Sequence, residues 1–375
     1  MVTSLQAVRR QLGYTGAQVI DLLTRRADTL NLPVANKASL KTKLSRWENG
    51  KEQPSQTYRR LFREIYGRTG AELGFPDEPE EDLEAAELRN RLALARTVDA
   101  ETVEVFRHQI DHARHIDRRF GALTQLDTLR TQIDQVQQLL TYRAGPQRPA
   151  LAGALVEAST LAGWQALDRA ALGQAWAHYE RAKTAAREAE SPALLAHATA
   201  EQAFVLIDLN DTTAAVDQLT HARTIANGTA TPLLGAWLAA AHGETLAAAG
   251  HADDARQAFD TASDLLPADP IDPALPFLFL GDSHLDRWRG NALARTGAPE
   301  AIDQLTAALI HLPDDFLRAR TGLLVDLAHA HAAAGDRDAA LSHARQARRL
   351  ASQLKSDRQQ RRLKQLLLPG SGAAA

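Results

Sequence analysis

The chain has no cysteine in its 375 residues. That excludes disulfides, thiolate metal sites and cysteine nucleophiles. It also lacks an early apolar run of the signal-peptide kind, and no apolar stretch approaches the ~20 residues that span a bilayer. A cytoplasmic protein without membrane contact is expected. Aromatic residues make up only 5%. No glycine-rich phosphate loop and no paired-carboxylate site stands out, so neither an enzyme nor a cofactor is expected. His108, Asp111, His112 and His115 share adjoining turns of one predicted helix. Without a third ligand from another segment they read as a solvated face, not a metal site. Gly281-Asp282-Ser283-His284 has the letters of a hydrolase motif but no strand-turn-helix setting.

What is present is ample apolar content, 45%, with 24% charged residues. The length suits two domains, or a repeat array with an appended module. The net charge of -3 conceals an asymmetry: residues 1–73 carry +7 and the remainder -10. A small basic head on an acidic body fits a head that meets phosphate.

Within that head, Leu40, Leu44 and Trp47 fall on one face of a short predicted helix, with Lys41, Thr42, Ser45 and Arg46 on the other. Asn49-Gly50 supplies a stop, and Pro54 keeps the helix from resuming. A polar, cationic side on a buttressed helix suits a DNA major groove. The plain alternative is an ordinary amphipathic helix ending in glycine. Ser45, Arg46, Trp47, Glu48, Gly50, Pro54 and Ser55 together resemble the recognition helix and following turn of actinobacterial XRE-type (lambda-repressor-like) helix-turn-helix regulators. The resemblance implies that Lys41, Thr42, Ser45 and Arg46 contact base edges or nearby phosphates. Lys37, Lys43, Lys51, Arg59 and Arg60 would then position phosphates.

Around this helix, Leu5, Val8 and Leu12 mark a first helix, and Thr15 with Gln18 forms a capping box for a second, running to about Leu30 with Val19, Ile20, Leu22 and Leu23 inward. Residues 31–36 form a loop, Ser39 is a plausible cap, and Tyr58, Leu61, Phe62, Ile65 and Tyr66 define a fourth helix. The spacing from Val19 to Trp47 is about a dozen residues longer than the common family pattern. Trp47 is expected in the core, and Glu48 as a brace. The expected boundaries are 1–73 for the head, 74–84 for an acidic Pro-containing linker, 85–148 for a helical connecting region, 149–368 for a repeat domain with a capping helix, and 369–375 for a disordered tail.

The repeats show in small residues. Ala175, Ala215, Ala255, Ala301 and Ala340 recur at intervals of 40, 40, 46 and 39, and alanines follow seven residues later in every unit. Gly163, Ala203, Gly243, Gly290 and Ala328 precede them by eleven or twelve. Gly243, Leu246, Gly250, Ala255, Phe259, Ala262 and Pro267 resemble the tetratricopeptide (TPR) pattern, though with a longer period. The implied fold is all-α: an N-terminal helix-turn-helix domain followed by a TPR-like α-solenoid with a concave groove. In that family the groove wall would fall on Trp164, His197, Phe204, Trp237, Glu244, His284, Arg287, Asn291 and His329.

The combination looks like Gram-positive pheromone receptors, which join a helix-turn-helix to a peptide-binding repeat domain. It implies a sequence-specific transcriptional regulator of double-stranded DNA, a homodimer, with a peptide, small-molecule or protein effector in the groove. The rival reading is a repeat-protein scaffold whose helix-turn-helix serves docking.

Overall fold

A computed structural model describes residues 4–30, 32–75, 83–121, 126–272, 275–278 and 280–368. Several expectations lie outside those residues: Asn31 of the loop, most of the acidic linker (76–82), residues 122–125, Pro273 and the tail from Pro369. The side chains of Asp282 and Ser283 lie outside them too. The fold is all-α, with no strand among the described residues. The chain forms two compact units, residues 1–88 and 89–375.

The first unit contains α1 (Ser4–Gln11), α2 (Gly16–Thr29), α3 (Lys37–Glu48) and α4 (Gln56–Tyr66). Thr15 and Gln18 make the reciprocal capping box, satisfying the first free amides of α2. Val19, Ile20 and Leu23 are buried as expected, whereas Leu22 is only half-buried and Ala27 takes the further inward place. The cap of α3 is Asn36, not Ser39. The Asn36 carboxamide oxygen accepts from the Ser39 amide at 2.9 Å, so the helix starts at Lys37, three residues earlier than a Ser39 cap would start it. The long α2–α3 connection is tied down where the Ala35 amide donates to the Tyr58 hydroxyl at 2.8 Å.

Leu40, Leu44 and Trp47 are buried in the core of this unit, with α3 packed on α2 and α1 and with Trp47 lying on Tyr58 and edge-on to Phe62 of α4. Gly50 takes a left-handed φ of 69°, and the Lys51 amide returns to the Arg46 carbonyl, closing the helix end. Phe75 packs 6.2 Å from Phe62 and is buried, so this residue of the expected linker belongs to the core. The far end of that expected linker is helical, since α5 runs Leu83–Arg96.

In the second unit α6 (Ala100–Phe120) is capped by Asp99, whose carboxylate accepts from the Thr102 amide. Next come α7 (Leu126–Tyr142) and five helical hairpins. These are α8 (Arg148–Asp168) with α9 (Leu172–Glu188), α10 (Pro192–Asp208) with α11 (Thr212–Ala226), and α12 (Pro232–Ala248) with α13 (Ala252–Leu265). Then α14 (Asp282–Arg295) pairs with α15 (Ala301–His311), and α16 (Leu317–Ala333) with α17 (Arg337–Gln353), before a closing α18 (Asp357–Lys364).

Each hairpin turns the same way. Ala170, Asn210, Gly250, Gly297 and Gly335 adopt positive φ, and in each case the next amide bonds back to the carbonyl five residues earlier. The small positions permit close approach. A Cβ on Gly163 would stand 2.8 Å from the Tyr179 ring, one on Gly243 2.7 Å from Phe259, and one on Gly290 2.8 Å from Leu305. All ten of the recurring alanines are buried.

The helices expected to connect the domains do more than connect. α6 and α7 both pack on α8, and α6 also reaches α16. α18 packs on α8, α16 and α17. First and last hairpins are therefore joined: Arg318 of α16 holds Asp117 of α6 at 2.7 Å, Ser356 donates to Asp168 at 2.6 Å, and Arg358 grips Asp208 through two nitrogens. The expected open groove is bridged on its concave side by α6 and α18.

Candidate functional site

Two places collect the residues that sequence singles out. In the first unit the exposed side of α3 carries Lys37, Lys41, Thr42, Ser45 and Arg46, because the burial of Leu40, Leu44 and Trp47 fixes the helix rotation. Lys41, Thr42 and Lys51 are exposed and have no partner among the described residues. Lys37 pairs with Asp21 at 2.7 Å, Arg46 with Glu52 at 3.2 Å and Arg60 with Glu64 at 3.0 Å. Lys43 lies over the Trp47 ring, and Arg59 donates to the Pro54 carbonyl. Exposed pairs of this kind contribute roughly 0–1 kcal/mol, so a phosphate can take their cations at small cost. The Lys37 pair holds the Asp21 carboxyl below its usual range, through the hydrogen bond first and the charge second. Glu48 faces inward, in a two-pronged pair with Arg9 at 2.5 and 2.8 Å.

In the second unit a cavity of about 300 Å³ is lined by the first helices of all five hairpins together with α6 and α18. Eight of the nine expected groove residues line it: Trp164, His197, Phe204, Trp237, Glu244, His284, Arg287 and Asn291. His329 does not; its Nε2 lies 3.1 Å from the Arg362 carbonyl oxygen on α18. Sequence reasoning missed Arg114, Asp117 and Arg118 on α6, Phe277 and Trp288, Phe316 and Arg318, and Arg358 and Arg362 on α18. A signal existed for α6. Arg114 and Asp117 are three apart on a face distinct from His108, His112 and His115, and the structure buries the first pair while leaving the histidines exposed. Among the described residues no group of three or more His, Asp or Glu is placed to hold a metal ion.

The wall has two textures. Trp164, Phe204, Trp288, Trp237, His197 and Phe277 follow one another with ring centroids 4.6–6.5 Å apart, a continuous aromatic surface. Against it stand seven arginines and six carboxylates. Arg114 pairs with Glu157 at 2.6 Å and Arg362 with Asp326 at 2.5 Å, with both acids buried.

Burial governs protonation here. It pushes the His197 imidazole down to about 3, aided by the Arg114 charge, and His284 down to about 3, aided by Arg287 and Arg118. Both rings are neutral at pH 7. Burial raises Glu201 to about 7 against its bond from the Tyr179 hydroxyl, and Asp117 to about 6 against the pull of Arg318. Glu244 is raised by the same cause, and Arg287 and Arg295 are lowered by it. Some polar atoms stay unsatisfied among the described residues: the donors Arg287 Nε and Arg318 Nε and Nη1, and the ring nitrogen His197 Nδ1, are buried with no hydrogen-bond partner. Aromatic faces with convergent, unsatisfied donors suit the capture of an organic molecule.

No protein-family model matches the chain, and no curated protein matches it. A solved structure titled as the crystal structure of BtubC (BKLC) from P. vanneervenii is similar at 15% identity and a TM-score of 0.42, covering 68% of this chain and 96% of that one. No helix among the described residues is long and apolar enough to cross a membrane.

Proposed function

We propose that this chain is a sequence-specific DNA-binding transcriptional regulator. In this reading the first unit is a helix-turn-helix head and the second a TPR-like array holding an effector. The observation that carries it is α3: an exposed Lys41, Thr42, Ser45 and Arg46 face over buried Leu40, Leu44 and Trp47. Arginine and lysine donate to guanine O6 and N7, while serine and threonine are less selective. Two such heads in a homodimer address half-sites about one DNA turn, ~34 Å, apart. The lined cavity supports an effector site, and an effector acts only if it binds two states with different affinity. No catalytic role is assigned to the cavity.

Gel-shift on genomic fragments tests the reading. Lys41→Ala and Arg46→Ala each cost ~1–3 kcal/mol of selective binding if they read bases. Wild-type protein that selects no fragment favours the docking scaffold instead.

A further inference from the structure

Six of the seven arginines around the cavity, all but Arg118, fall into two groups. Arg114, Arg318, Arg358 and Arg362 each hold a carboxylate at 2.5–2.7 Å. Arg287 and Arg295, two turns apart on the same side of α14, have no carboxylate within ion-pairing distance among the described residues. Arg295 donates only to the Asn291 carboxamide oxygen, at 3.1 Å, and the Nε of Arg287 is buried without any acceptor. Arg287 is half-buried with its Nε enclosed, and Arg295 is exposed; an enclosed cationic donor with no acceptor favours any ligand oxygen that can reach it. The nearest candidate within the protein is Glu244, and burial favours its uncharged form.

The same cavity carries the aromatic surface of Trp164, Phe204, Trp288 and Trp237, of which Trp288 belongs to α14 itself. Water can hydrate the arginines but gains nothing from that wall. A cation would meet an arginine excess. A neutral apolar molecule would leave the guanidiniums unsatisfied. A cavity of about 300 Å³ lies at the small end of ligand sites.

We propose that the cavity binds a small amphiphilic organic anion, its flat apolar body on the tryptophan–phenylalanine wall and its anionic head on Arg287, Asn291 and Arg295. The inference rests on the effector-site reading of the cavity and names the effector's chemical class. The head exchanges the absent intramolecular acceptor for its own oxygens, in charge-assisted hydrogen bonds stronger than neutral ones. The neutral His197 and His284 rings add apolar surface without adding positive charge.

The test uses two probes with one skeleton, 8-anilinonaphthalene-1-sulfonate and its uncharged counterpart N-phenyl-1-naphthylamine. Both are titrated into the full chain while energy transfer from the wall tryptophans is followed. The sulfonate should bind roughly tenfold or more tighter than the neutral probe. Arg287→Gln with Arg295→Gln should abolish that preference while leaving the neutral probe's affinity little changed, and Arg287→Lys should retain most of it. If the substitutions destabilise the fold, the wild-type comparison still decides. Equal binding of the two probes, or a preference unaffected by both substitutions, overturns the assignment. Neither outcome bears on DNA selection by gel-shift, whose failure would instead remove the regulator reading.

Discussion

The two units use the same helix-building rules and dispose of their charge in opposite ways. In the first, apolar side chains turn inward and nearly every cation turns outward; the Arg9–Glu48 pair is the exception, with Glu48 only 5% exposed. In the second, arginines and carboxylates from distant hairpins converge on the interior, where Arg114, Asp117, Glu157, Asp168 and Asp326 are all buried. Buried ion pairs are poor stabilisers, because desolvation offsets most of the Coulomb gain. One such pair bracing a small core is a structural feature; a ring of them around a cavity with unsatisfied donors is what supports the proposed effector site. The exposed face of α3 makes the converse point, since surface cations are cheap to redirect toward a phosphate.

The contrast breaks most readily at the single buried pair. Glu48→Ala strands Arg9 with the Tyr14 carbonyl as its one remaining acceptor among the described residues, and should destabilise the first unit by about 3–5 kcal/mol. Hydrogen exchange of the α2 and α4 amides in the full chain measures it. A loss under ~1 kcal/mol would mean that the pair is no brace.

Around the cavity the sign reverses for Glu201. Its folded value of about 7 exceeds its ordinary 4.5. The carboxyl therefore supports folding fully below about pH 4.5, and that support is lost as pH rises through about 7. Glu201→Gln, which still accepts from Tyr179, should leave stability unchanged at pH 4 and raise it at pH 8, by at most ~3 kcal/mol. Denaturant titrations at the two pH values check this; equal effects at both would contradict it. His197 and His284 work oppositely, costing stability as pH falls below 6.5 toward about 3.

The smallest effect concerns the hairpin turns. Ala170 holds a φ of 52° where three other turns use glycine. Ala170→Gly should raise stability by about 1 kcal/mol, visible as a higher melting temperature. A drop in melting temperature would show the turn to be unstrained.

Much of this architecture was legible in the sequence, for physical reasons that can be named. The Thr15–Gln18 capping box, the Leu40-Leu44-Trp47 stripe and the recurring small residues are local or periodic signals, and the described helices follow them. Eight of the nine groove positions converge on one cavity because the small-residue register fixes which face of each first helix looks inward. What sequence could not show was closure. The Asp117–Arg318 and Asp208–Arg358 contacts join residues 201 and 150 positions apart, which no local pattern encodes. For the same reason α6 read as a connector, and α18 as a mere cap. Ser39 has the residue type of a cap, but Asn36, three residues earlier, takes that role by accepting from the Ser39 amide.

Selection of binding sites from a pool of random duplexes tests the central claim most directly, with wild-type full chain beside Lys41→Ala/Arg46→Ala. The account predicts that wild type enriches a defined motif, with two half-sites about one turn apart, and that the double variant loses it. Enrichment of no motif by wild type, or of the same motif by both proteins, would contradict the assignment of α3 as the reader.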